Sequence, residues 1–280
     1  MNTTPFISNR GLICRLVVGL FCAAMIASAG CMGSIRPPGI FSFEPSRLVD
    51  LTHAFEADTI VWPTEHNFTL TAQYAQDMPG GYYYASNRMA LPEHGGTHID
   101  APIHFSKGKE TLDQIPLDRF MGTAVRINVE SRCATDRDYR ITVQDLEQWE
   151  AAHRRIPDRS IVLLDTGFGK FWPSRQNYLG TELRGREGVA ALHFPGLHPN
   201  AAAWLVRERN VKAVGIDTAS IDYGQSTKFE THVELLSHHV PVFENLSDLS
   251  RLPDRDFDVI ALPMKIAGGT GGPLRIVAVR

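Results

Sequence analysis

The sequence predicts a mixed α/β or α+β fold, a β-sheet partly covered by a few helices. Three observations carry this. Short β-rich runs recur from residue 47 onward, and only about three segments read as helix. Two of these, near 145–154 and 199–209, each precede a strand, without the regular alternation of a βαβ wind. At 280 residues and 43% hydrophobic, the chain can bury a sizeable core. No long polar linker interrupts it, so one domain is expected over 47–280.

The N-terminus reads as targeting rather than fold. Arg10 and Arg15 precede an apolar stretch, Leu16 to Ala27, too short for an ordinary transmembrane helix. Ser28, Ala29 and Gly30 then lead to Cys31. This is the order of a bacterial lipoprotein signal over 1–30, with Cys31 the lipidated first residue of the mature chain. An ordinary cleaved signal and an uncleaved anchor are the alternatives. The lipoprotein reading anchors the chain to a membrane in the cell envelope, on the periplasmic or outer face. With Cys31 acylated, the Pro-, Gly- and Ser-rich stretch to Ser46 is a tether, so 31–46 is lipidated cysteine plus spacer.

From there the elements follow in order. Arg47 to Phe55 reads as a first strand and Thr59 to Pro63 as a short apolar run. Asn67 to Tyr74 and Tyr82 to Ala90 are β-rich, with a Pro79-Gly80-Gly81 turn before the second. Gly122 to Val129 is a strand. Thr142 can cap a helix running to Arg154, with Asp145 and Glu147 in its early turns. Ser160 to Asp165 and Val211 to Asp217 are continuous apolar runs of the buried type. Pro199 begins a helix to Arg209. Thr231 to Ser237 is a short helix, and Val240 to Phe243, Phe257 to Pro263 and Leu274 to Val279 are strands.

The net charge of −3, with no block of one sign, gives no electrostatic case for nucleic acid. Cys14 and Cys22 leave with the signal and Cys31 is acylated. Cys133 is then alone, a surface or half-buried thiol with no disulfide partner and no neighbouring histidine to activate it.

The chemistry concentrates in His94-Gly95-Gly96-Thr97-His98-Ile99-Asp100-Ala101-Pro102-Ile103-His104. In an extended chain, side chains alternate faces with period two. His94, His98, Asp100 and His104 would then point one way, at least until Pro102 interrupts the ladder. Imidazole and carboxylate ligands converging suit a divalent transition metal such as Zn²⁺ or Mn²⁺. The plainer alternative, histidines scattered at a polar strand end, does not account for four in phase. A second cluster pairs His232 with Glu244, a carboxylate where a strand emerges; taken alone, the pair reads equally as a helix-cap histidine and a strand-end glutamate. The segment Gly268 to Gly272 lacks the lysine and context of a phosphate loop and reads as a turn at a site rim. Neither a Gly-x-Ser-x-Gly elbow nor a His-Glu-x-x-His pattern occurs. Adjacent His238 and His239 face apart when extended, so at most one could join the site.

On these residues the chain resembles the metal-dependent cyclase family that includes bacterial kynurenine formamidase and isatin hydrolase. His94 to His104 matches its His-x-Gly-Thr-His-x-Asp-x-Pro-x-His pattern. The resemblance continues through Gly215 to Asp222, His232, Glu244-Asn245-Leu246 and Pro273-Leu274-Arg275, covering nearly all of 47–280. It implies a mixed α/β, barrel-like "swivelling" domain, in homodimers or homotetramers. It also implies that His94, His98 and Asp100 bind a first ion, with Asp100 bridging to a second where two are present. His232 and Glu244 would complete the centre, and His104 would be the acid/base residue beside it. Relatives similar to isatin hydrolase use a glutamine near the second cluster, for which Gln225 is the candidate here, so one or two ions per chain remain open.

The function expected is metal-dependent hydrolysis of an amide or lactam C–N bond by an activated water. His104, with an ordinary pKa near 6.5, would move the proton. Trp62, Phe68, Tyr82 to Tyr84, His193 and Phe194 could line an aromatic pocket for a small substrate. Two other classes stay open: a lipid-anchored metal-binding protein without turnover, and a metal-dependent cyclase or lyase. His104, which a bare metal site does not need, favours the enzyme.

Overall fold

The computed structural model describes residues 44–280. The signal segment, Cys31 and the tether up to residue 43 lie outside the described residues. After a 3-10 turn at Pro45–Arg47 come β1 (Leu48–Asp50), β2 (Thr69–Met78), β3 (Tyr82–Ala90), β4 (His98–Asp100) and β5 (Met121–Asn128). Next are β6 (Arg140–Ile141), β7 (Ile161–Asp165), β8 (Gly196–Leu197), β9 (Ala213–Ile216), β10 (Val242–Glu244), β11 (Phe257–Pro263) and β12 (Gly271–Val279). The helices are α1 (Glu130–Cys133), α2 (Val143–His153), α3 (Arg175–Leu179), α4 (Gly185–Ala190), α5 (Pro199–Arg209) and α6 (Glu230–Ser237).

Seven strands close on themselves in the order β12-β11-β5-β7-β9-β10-β4, with β4 pairing back onto β12. From β5 through β7 and β9 to β10 the pairing is parallel. The other four seams are antiparallel. The mixed α/β, barrel-like expectation therefore holds, and closure leaves these strands no bare edge.

Both faces of the barrel wall are buried, which is why its parallel strands are continuously apolar. Along β7, Ile161 and Leu163 point into the barrel with Phe243, Val259 and Ile276. Val162 and Leu164 point outward against Leu146 of α2, Leu205 of α5 and Leu235 of α6. Each such side chain contributes roughly 1.5–3 kcal/mol by leaving water. Helices α2 and α5 begin where sequence placed them, whereas the short α1, α3 and α4 were not expected. Thr142 caps α2, its hydroxyl accepting from the Asp145 amide while the Asp145 carboxylate accepts from the Thr142 amide. Pro199 occupies the first turn of α5.

Three expectations need correction. The first strand stops at Asp50, because beyond it the chain turns away and Thr52 makes only an isolated bridge, to Leu246. Cys133 is neither surface nor half-buried: it is 3% exposed in the outer core. Burial first, then the charge of Asp217, pushes its thiol pKa far up, so the thiol stays protonated. The alternation proposed for 94–104 holds only over β4. His94 lies in a turn, and His104 ends a 3-10 turn, Pro102–His104.

Candidate metal centre and active site

Ile99 of β4 and Phe243 of β10 point into the barrel. Their neighbours His98, Asp100 and Glu244 must therefore point outward, towards the helices. The antiparallel register sets Glu244 directly opposite His98 and Asp100 opposite Val242. Helix α6 packs over this face and brings His232 down onto it. Gly96, at φ +61°, turns the chain so that His94 arrives from the side. An added Cβ there would lie 2.7 Å from the Phe55 ring. Asn245 clamps the turn: its amide donates to Gly96 O at 2.8 Å, and its carbonyl accepts from the Thr97 hydroxyl at 2.7 Å.

The distances are short. His94 Nδ1 lies 2.7 Å from Asp100 Oδ1, and His98 Nε2 lies 3.2 Å from the same oxygen. His232 Nε2 is 3.1 Å from Asp100 Oδ2 and 3.1 Å from Glu244 Oε1. Glu244 Oε2 stands 3.4 Å from His98 Nε2. Each imidazole is tied down by its other nitrogen, which fixes the tautomer by elimination. A carbonyl can only accept, so His98 Nδ1 donates to Gly96 O at 2.9 Å. A carboxylate likewise only accepts, so His232 Nδ1 donates to Asp222 at 2.7 Å. Thr270 gives its hydroxyl proton to Glu93 at 2.6 Å and therefore accepts from His94 Nε2 at 2.9 Å.

In the neutral state, three nitrogen lone pairs thus face two carboxylates. That arrangement is reconciled only by protons or a cation. Burial opposes charge on His232, yet hydrogen bonds to Asp100, Asp222 and Glu244 outweigh it and raise its pKa well above the ordinary value. His98 is raised by the same contest between burial and Asp100. Burial favours a neutral Asp100, but the surrounding histidines hold its pKa well below the usual carboxylate range. His98 Nε2 is buried with no well-formed hydrogen bond. Nitrogen and carboxylate donors in this setting fit a divalent metal. Ligand atoms of His94, Asp100 and His104 lie within 4.8 Å of one another, as do those of His98, Asp100 and Glu244, so Asp100 belongs to both sets.

His104 stacks on His94 with ring centroids 3.8 Å apart. Its pKa is not the ordinary 6.5 expected from sequence. Burial, reinforced by His94, His232 and His98 against the pull of Asp100, lowers it to about 4. The ring is therefore neutral at pH 7.

A cavity of about 210 Å³ opens beside these groups, lined also by Trp62, Glu65, Phe105, Ala219, Ser220 and Phe229. Of the seven substrate-contact candidates, only Trp62 reaches it. Phe68 packs on Phe55 instead. Phe194 is fully buried in the outer core, because the chain around it runs beneath the surface. His193 pairs with Asp138 at 2.6 Å on the surface. Tyr83, like Tyr82 and Tyr84, stands exposed on the β2–β3 hairpin. Gln225 is exposed, its amide donating to Leu192 O, and it is not among the cavity's lining residues. His238 and His239 are surface partners of Glu234 and Glu110. Thr270 and Gly271 do not line the cavity but back onto His94: Thr270 accepts from its Nε2, and a Cβ on Gly271 would meet its Cε1 at 2.5 Å.

Sequence reasoning missed Asp222, Phe105 and Phe229. Phe105 adjoins His104 and Phe229 immediately precedes α6, so adjacency to the motifs was their available signal. Asp222 had none beyond its place in the resemblance.

The Cyclase family model matches residues 49–223. Isatin hydrolase of Roseibium aggregatum is 29% identical over 215 residues, covering 74% of this chain and 78% of its own. Kynurenine formamidase of Salinibacter ruber is 29% identical over 236 residues, covering 82% of this chain and 96% of its own. Among solved structures, isatin hydrolase A from Labrenzia aggregata bound to benzyl benzoate superposes with a TM-score of 0.75 at 32% identity, over 83% of this chain and 93% of that one. With the family model spanning more than half of it and the barrel shared with a solved relative, the chain belongs to the Cyclase family.

Proposed function

We propose that this chain is a metal-dependent hydrolase that cleaves the C–N bond of a small aromatic amide or lactam. Its ligands for Zn²⁺ or Mn²⁺, one or two ions per chain, are His94, His98, Asp100, His232 and Glu244. One observation carries the reading: three imidazoles, each tethered through one nitrogen, aim the other at two buried carboxylates. A bound divalent ion supplies an acidified water and a positive charge for the developing oxyanion.

The chain's own groups do the rest. Neutral His104, beside the cavity, takes the proton of the attacking water and returns it to the leaving nitrogen. Trp62, Phe105 and Phe229 offer aromatic faces to a flat substrate and keep bulk water off the carbonyl. Relatives named isatin hydrolase and kynurenine formamidase support a cyclic aryl lactam and an aryl formamide as the two substrate classes. The segment ending at Cys31 supports lipidation there and an envelope location. Assembly into a homodimer or homotetramer belongs to the same reading.

The test is elemental analysis of the purified chain, paired with hydrolysis of isatin and N-formylkynurenine with and without added Mn²⁺ or Zn²⁺. Bound metal with metal-dependent turnover of either compound is expected. Absence of metal under every condition would overturn the reading.

A further inference from the structure

The glycine-rich segment Gly268 to Gly272 contributes no residue to the cavity. Its only side chain larger than hydrogen is that of Thr270, and this side chain stands between Glu93 and His94. The Thr270 hydroxyl lies 2.6 Å from Glu93 Oε2 and 2.9 Å from His94 Nε2. The Thr270 amide donates to the same Glu93 oxygen at 3.1 Å. Backbone bonds fix where the hydroxyl sits. The Thr270 carbonyl accepts from the Ala101 amide at 2.8 Å, just past β4, and the Gly269 carbonyl accepts from the Leu112 amide at 2.9 Å. A Cβ on Gly269 would lie 2.9 Å from Glu93 Oε1, so glycine there leaves the carboxylate its room.

The three imidazoles of the centre are held by three unlike acceptors. A backbone carbonyl holds His98 and a carboxylate holds His232. Neither acceptor can donate, so each of these tautomers is fixed by its direct partner. His94 is held by a hydroxyl, which donates as well as accepts. Left alone, the Thr270 hydroxyl could turn its proton towards His94 Nε2. The ring would then carry its own proton on Nδ1, 2.7 Å from Asp100 Oδ1. Glu93 removes that choice. It takes the hydroxyl proton, leaves an oxygen lone pair facing His94, and strengthens the second bond of the chain. Nε2 then carries the ring proton, and Nδ1 presents its lone pair to the ligand cluster.

His94 depends on such a hold more than its partners do. It lies in a turn, and its side chain is 23% exposed, against 2% for His98 and 4% for His232. Among the described residues, both hydrogen bonds that the Glu93 carboxylate accepts come from Thr270.

We propose that Glu93, acting through Thr270, is a positioning residue for His94. It sets the tautomer of the ring and thereby the strength with which Nδ1 binds the metal. The proposal rests on the metal-centre reading above.

The experiment measures the dissociation constant of the purified full chain for Zn²⁺ and Mn²⁺ by competition with a chromophoric chelator. Thermal melting in excess EDTA monitors the metal-free fold of each variant. Thr270→Val keeps the shape of the side chain and its amide bond to Glu93 but removes the hydroxyl. It and Glu93→Ala should each bind metal about 10–100-fold more weakly. Thr270→Ser should restore binding to within about threefold of wild type, because the hydroxyl alone is needed. The double variant Glu93→Ala with Thr270→Val should bind within about twofold of Thr270→Val, because Glu93 acts only through the hydroxyl. Should Glu93→Ala unfold, Glu93→Gln takes its place in the same cycle, with a smaller loss. Factors that multiply in the double variant overturn the proposal, as does binding by Thr270→Val within about twofold of wild type. A wild-type chain that binds neither ion overturns the metal-centre reading itself. A wild-type chain that binds metal while the variants bind as tightly overturns only the role of Glu93 and Thr270.

Discussion

Asp222 touches no substrate and lines no part of the cavity, yet the geometry makes it a positioning residue for His232. One of its oxygens accepts His232 Nδ1–H at 2.7 Å and the His232 amide at 3.1 Å. The other accepts the Thr231 amide at 3.1 Å and the Ser226 hydroxyl at 3.3 Å. It thus satisfies two amides of the first turn of α6, as a capping side chain would, and fixes the His232 tautomer. In Asp222→Ala, nothing holds the proton on Nδ1. The alternative tautomer places it on Nε2, the atom 3.1 Å from both Asp100 and Glu244. Metal must then displace that proton and reorient the ring. Loss of such a supporting carboxylate weakens metal affinity by about 10–100-fold, roughly 1.4–2.7 kcal/mol. The two freed amides cost about 1 kcal/mol more in the metal-free fold.

The assay separates these terms. Competition with a chromophoric chelator gives the metal dissociation constant, and thermal melting in excess EDTA gives the stability of the metal-free protein. Asp222→Asn keeps an acceptor for His232 in one orientation and should fall between wild type and Asp222→Ala. Ser226→Ala, which removes the longest of these contacts together with the bond from the Phe229 amide, should leave the metal dissociation constant near wild type. A metal dissociation constant for Asp222→Ala within twofold of wild type would refute the tautomer reasoning.

Three further outcomes follow from neighbouring groups. His104→Ala should lower kcat by about 10²–10⁴ while metal content by elemental analysis stays constant; parallel loss of metal would make His104 a ligand instead. Gly271→Ala would set a Cβ 2.5 Å from both His94 Cε1 and the Ile99 carbonyl oxygen. Displacing His94 should lower metal occupancy and cost about 1–3 kcal/mol in a denaturant titration. Asp165 sits buried at the end of β7, where burial first and Asp217 second raise its pKa to about 7. Its folded pKa lies above the unfolded value near 3.9. Its contribution is therefore complete below about pH 4 and lost as pH rises through 7. Asp165→Asn should flatten stability between those pH values and gain on the order of 2–4 kcal/mol at pH 8. An unchanged pH profile by denaturant midpoint would contradict that burden.

What the sequence disclosed divides along physical lines. Where one local rule governs, it was readable. Thr142 and Pro199 mark helix starts because capping and proline geometry need no tertiary partner. The apolar runs of β7 and β9 betray burial on both faces. Where long-range pairing governs, sequence was silent. Barrel closure rests on three residues of β4 against Gly271–Pro273, a contact without its own pattern. Aromatic residues were the poorest guide, because a ring serves equally as pocket wall, as core (Phe194) or on an exposed hairpin (Tyr83). Only topology distinguishes the three.

The metal motif shows how a sound conclusion can rest on partly different geometry. Period-two alternation placed His94, His98, Asp100 and His104 on one face, and they do converge. Yet only His98 and Asp100 do so by alternation. His94 needs the left-handed turn at Gly96, and His104 needs the 3-10 turn that follows Ala101. A straight strand would spread His94 and His104 over about 33 Å at 3.3 Å per residue, whereas the rings stack at 3.8 Å. The motif therefore works as two hinges around a three-residue strand. Gly96 and Pro102 are as necessary to the site as the histidines, because without their folds the ligands would lie in register on one face and too far apart to share an ion.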